Sequence, residues 1–64
     1  MVSVHVIFNG ASIHYEFFED LETFMRRWNN QLAGAGYFTS KDTDGKLVII
    51  NPSNCGTIEI VEKG

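Results

Sequence analysis

The sequence predicts an α+β domain of order ββαβββ: a single antiparallel-rich sheet of about five strands with one amphipathic helix packed on one face. Three observations lead there. Two segments with period-two alternation flank an Asn9-Gly10 dipeptide, one segment has helical spacing, and three further short β-branched or aromatic runs are separated by turn residues. The 64 residues form one small domain, 1–64. A chain of that length folds to a surface of roughly 4,000 Å² and is marginally stable.

The first hairpin is the firmest local feature. Residues 2–8 (VSVHVIF) and 12–18 (SIHYEFF) alternate, and Asn-Gly between them favours a type I′ turn. A two-residue loop sets the register, so Val6 opposes Ile13, Val4 opposes Tyr15 and Val2 opposes Phe17 on one apolar face. Ser3, His5, Ile7, Ser12, His14, Glu16 and Phe18 then lie on the other.

From Asp20 to Leu32 the period changes. Leu21, Phe24, Met25, Trp28 and Leu32 form the stripe of an amphipathic helix. Asp20 is placed to cap its start, and Gly34 or Gly36 to stop it in the left-handed conformation. Glu22 and Arg26 form an i, i+4 pair on the outer side.

The rest reads as a three-stranded meander over 37–41, 46–51 and 57–62, broken by Asp42-Thr43-Asp44-Gly45 and by Pro52-Ser53-Asn54-Cys55-Gly56. The run Leu47-Val48-Ile49-Ile50 does not alternate, which predicts a central strand covered on both faces. The segment Ile49–Asn54 with Ile58-Glu59-Ile60 resembles the last hairpin of short phage and bacterial proteins, and that resemblance implies no functional residue.

Composition limits function. With 44% hydrophobic and 20% charged residues the chain is expected to fold. A net charge of −3, with Arg26 and Arg27 the sole adjacent cations, argues against nucleic-acid binding. No apolar run reaches bilayer length, and Met1–Phe8 lacks the basic flank of a signal peptide, so neither membrane nor export is expected. The lone Cys55 forms no intramolecular disulfide and fits a reducing, cytoplasmic setting.

No catalytic set, cofactor fingerprint or phosphate loop emerges, so no catalytic or cofactor-binding residue is assigned and no enzyme is expected. Asp42–Gly45 resembles part of a calcium loop, but Asn51 stands where the closing Glu belongs, and a hairpin turn is the simpler reading. His5 and His14 fall opposite one another at a non-hydrogen-bonded pair. Two imidazoles so placed could chelate a borderline metal with Glu16 as a third ligand. Two polar residues on an ordinary sheet face remain the favoured reading, so no metal is assigned.

Counting faces gives the functional expectation. One helix covers one side of the sheet, while Ile7, Val61 and part of 47–50 point away and need a cover. The cheapest cover is a second copy. The sequence therefore predicts a non-catalytic protein-interaction module, of inhibitor or adaptor type, that forms a homodimer through sheet surface and binds an unidentified protein partner. Ile7, His5, His14, Phe18, Arg26, Arg27 and Val61 are its candidate contacts. The alternatives are an oligomeric binder of small anionic or nucleotide-like ligands and an acidic decoy of nucleic-acid-binding sites.

Overall fold

The computed structural model describes residues 1–63. Its elements are β1 (Val2–Phe8), β2 (Ala11–Phe17), α1 (Leu21–Ala35), β3 (Phe38–Lys41), β4 (Leu47–Ile50), a 3-10 turn (Pro52–Asn54) and β5 (Thr57–Glu62). The class and order are those the sequence predicts. The accessible surface is 4123 Å².

Asn9 and Gly10 both take positive φ, 47° and 77°, as a type I′ turn requires. The register that follows pairs Val6 with Ile13, His5 with His14, Val4 with Tyr15 and Val2 with Phe17. Asp20 caps α1 by accepting from the Thr23 amide at 2.8 Å. Gly36, at φ 84°, ends the helix, and its N–H donates to the Leu32 carbonyl.

Strand order departs from the meander. Hydrogen bonding divides the five antiparallel strands into a three-stranded sheet, β2-β1-β5, and a two-stranded hairpin, β3-β4. β5 leaves β4 and pairs with β1, setting Val4 against Ile60 and Val6 against Ile58. The physical reason is that β1 buries Val2, Val4 and Val6 and accepts an alternating partner on each edge. The 3-10 turn, begun by Asn51 and Pro52, turns the chain, and the Gly56 amide donates to the Ile7 carbonyl at 3.1 Å where β5 begins.

β4 is not a central strand. Val48 and Ile50 are buried, whereas Leu47 is 65% and Ile49 63% exposed. Only one face of the β3-β4 hairpin meets the rest of the protein, so an apolar run that looks two-sided in sequence is one-sided in the fold.

The core lies between α1, the inner face of the larger sheet and the inner face of the hairpin. Phe24 and Trp28 of the helix stripe join Val2, Val4, Val6 and Phe17 of the sheet and Phe38, Val48 and Ile50 of the hairpin. Phe38 stands 5.0 Å from both Phe24 and Trp28 between ring centroids and 6.1 Å, edge-on, from Phe17. These separations are those of favourable aromatic pairs. Tyr15, Met25, Leu32, Ile58 and Ile60 pack around this cluster. Ile13, expected against the helix, is 41% exposed at the turn end of the hairpin.

Candidate functional site

The outer face of the larger sheet carries the histidine pair. The pleat places Ser3, His5 and Ile7 of β1 beside Ser12, His14 and Glu16 of β2 and Thr57, Glu59 and Val61 of β5. This face is mainly polar. The expected apolar surplus is corrected here: Ile7 and Val61 are its aliphatic residues, isolated among hydroxyls, imidazoles and carboxylates.

His14, His5 and Glu59 form one row across three strands. The imidazole rings of His5 and His14 meet edge to face with centroids 6.1 Å apart. His5 Nδ1 lies 3.7 Å from Glu59 Oε1, an ion-pairing distance when the imidazole is protonated. His14 Nε2 contacts the Ser3 hydroxyl. Glu16 does not join the row as a third ligand, because Lys63 Nζ donates to its Oε2 at 3.0 Å. That hydrogen bond and the ammonium charge hold the Glu16 carboxyl below its ordinary pKa. Glu59, unremarked in sequence because it lies far along the chain, takes the place beside His5.

Of the other expected contacts, Arg26 and Arg27 lie on α1 and not on the sheet face. Arg26 pairs with Glu22 at 3.3 Å along the helix. Arg27 is structural: it bonds Glu19, reaches the Thr39 carbonyl at 3.4 Å, and sets its guanidinium 5.5 Å from the Phe38 ring centroid. Phe18 is 73% exposed just beyond β2. Half-buried Cys55 turns its thiol toward the Asn51 carbonyl, Sγ to O 3.3 Å.

The edge strands differ in how they are closed. The Asp42 amide donates to the Lys46 carbonyl at 2.9 Å, which sets the phase of the β3-β4 ladder. Alternation then makes Thr39–Ile49 and Lys41–Leu47 the pairs whose backbone groups point away from the ladder. On β3, Gln31 occupies them: its Oε1 accepts from the Thr39 N–H at 2.8 Å, and its Nε2 donates to the Thr39 carbonyl at 3.0 Å. On β2, the Glu16 carbonyl accepts from the Thr43 N–H at 2.9 Å. β4 pairs with β3 alone, so Leu47 and Ile49 present their N–H and C=O groups outward beside exposed side chains. Sequence reasoning missed this edge, although one signal was there. Among the edge strands, β4 is the one without a polar or charged residue.

Among the described residues no pocket forms, no group of three or more metal-ligating side chains converges, and no helix is long and apolar enough to cross a membrane. Comparison with protein-family models, curated proteins and solved structures finds no match.

Proposed function

We propose that this chain is a small non-catalytic protein-interaction module that self-associates by adding β4 of one copy to β4 of another. The observation that carries the reading is the open β4 edge, where outward amides and carbonyls at Leu47 and Ile49 accompany side chains 65% and 63% exposed. Natural edge strands are commonly blunted by charge, proline or cover. β5 carries Glu59 and Glu62, β2 carries His14 and Glu16, and β3 is covered by Gln31. β4 has none of these within its span.

The edge is self-complementary. An antiparallel pairing about a two-fold axis at Val48 sets Leu47 of each copy against Ile49 of the other, and both residues already aim their backbone groups outward. The product is a continuous sheet in which two leucines and two isoleucines gather on one face. Edge addition of this kind takes affinity from main-chain hydrogen bonds and selectivity from alternate side chains.

Sedimentation velocity over a wide concentration range tests the reading. The native chain is expected to shift from monomer to dimer, and Ile49→Lys to stay monomeric with an unchanged circular dichroism spectrum. A native chain that remains monomeric at the highest concentration overturns it, as does an Ile49→Lys variant that dimerises equally well.

A further inference from the structure

Apart from the β4 edge, the histidine row on the outer face of the larger sheet supports a second activity. We propose that His5 and His14 form a two-imidazole chelate for a borderline divalent transition cation, tightest for Cu2+.

The backbone supplies the first condition. His5 and His14 face one another in the register of β1 and β2. In a two-residue hairpin they occupy a non-hydrogen-bonded pair, where Cα atoms approach to about 4.5 Å and side chains stand closest. Two metal–nitrogen bonds of about 2.0 Å at a tetrahedral or cis angle place imidazole centroids about 5 Å apart. The observed 6.1 Å is wider than that by about 1 Å, so binding requires the two side chains to turn toward one another.

The ring nitrogens supply the second condition. A metal-bound imidazole typically engages its other nitrogen with a carboxylate, carbonyl or similar partner, which sets its tautomer and orientation. Here His5 turns Nδ1 toward the Glu59 carboxylate, and His14 turns Nε2 to the Ser3 hydroxyl. The Glu59 contact, at 3.7 Å, is a charge contact and not a hydrogen bond, and Nε2 of His5 and Nδ1 of His14 have no partner among the described residues. Glu59 and Ser3 are positioning residues, and water completes the coordination sphere.

Imidazole donors suit Cu2+, Ni2+ and Zn2+, and affinity rises toward Cu2+. Protons compete with the metal for the ring nitrogens, so binding weakens in acid. The charged groups facing the pair are Glu59 beside His5 and the Glu16–Lys63 pair beyond His14.

The experiment uses the full chain carrying Cys55→Ser, which removes the thiol as a competing ligand and reductant. Isothermal titration with Cu2+ at pH 7.4 is expected to give one site per chain. Electron paramagnetic resonance is expected to show hyperfine coupling to two imidazole nitrogens. Glu59→Gln and Ser3→Ala are each expected to weaken binding by about tenfold, at the lower end of the ~10–100-fold that an outer partner is worth. His5→Gln and His14→Gln weaken it more, and all four keep the native circular dichroism spectrum. No binding at pH 7.4 overturns the proposal. So does binding that survives both histidine substitutions undiminished, which would place the copper on the terminal amine or elsewhere.

Discussion

Gln31 clasps the backbone of Thr39, accepting its N–H at 2.8 Å and donating to its carbonyl at 3.0 Å. A helix side chain thereby stands in for the neighbouring strand that β3 lacks. Both Thr39 groups are partly buried, so an apolar residue at position 31 leaves a donor and an acceptor without partners. Gln31→Leu is expected to cost about 1–3 kcal/mol. Gln31→Glu keeps the acceptor and loses the donor, and falls between. Urea unfolding of the three proteins checks the order; equal midpoints would show that the clasp contributes nothing.

Phe38 and Ile49 test how the β3-β4 hairpin divides between core and surface. Phe38 is fully buried against Phe17, Phe24 and Trp28. Phe38→Ala is expected to cost about 3–5 kcal/mol, enough to unfold much of the population of so small a domain at room temperature. Ile49→Ala at the exposed position is expected to stay within about 0.5 kcal/mol when the protein is dilute. Thermal melts at low concentration check both, and a large loss at Ile49 would contradict its exposure.

The same hairpin, set beside the first one, shows what the sequence could and could not reveal. The Asn9-Gly10 turn is local, and its geometry alone sets the His5–His14 pairing, so the centre of the candidate metal site is legible in the sequence itself. The helix stripe and the Asp20 cap are legible for the same reason. Strand order is not, because the partner of β1 on its second edge depends on how the turn at Asn51–Gly56 directs the chain. Glu59 beside His5 and the sidedness of β4 both follow from that non-local step. An uninterrupted apolar run reads the same whether a strand is covered on both faces or lies at an exposed edge.

Acid should weaken the fold through two carboxylates whose pKa values lie below ordinary. The Thr23 amide, hydrogen-bonded to Asp20, lowers that group, and Lys63 lowers Glu16. A carboxyl with a depressed folded-state pKa stabilises the protein above its unfolded value, and that stabilisation is lost as pH falls through the folded value. The window therefore opens near the ordinary carboxylate range of about 4 and closes below it. Asp20→Asn keeps a capping oxygen without the charge and is expected to flatten the acid limb of stability between about pH 5 and pH 2. Lys63→Ala should remove the Glu16 part, which added salt also weakens. Urea midpoints against pH measure both effects, and an acid limb unchanged in both variants would sink the assignment.

Amide hydrogen exchange in β4 gives the most direct view of its open edge. Val48 and Ile50 donate toward β3, whereas Leu47 and Ile49 donate away from it. In dilute protein the expected pattern is alternating, with slow exchange at Val48 and Ile50 and fast exchange at Leu47 and Ile49, because exchange follows the opening of each hydrogen bond. When two copies pair through this strand, Leu47 and Ile49 acquire acceptors on the partner and their exchange slows with rising concentration. Ile49→Lys should hold position 47 fast at every concentration. Equal protection at all four positions in dilute protein would show that the edge is already closed within one chain. Fast exchange at Leu47 and Ile49 in a concentrated, dimeric sample would place the contact on another surface.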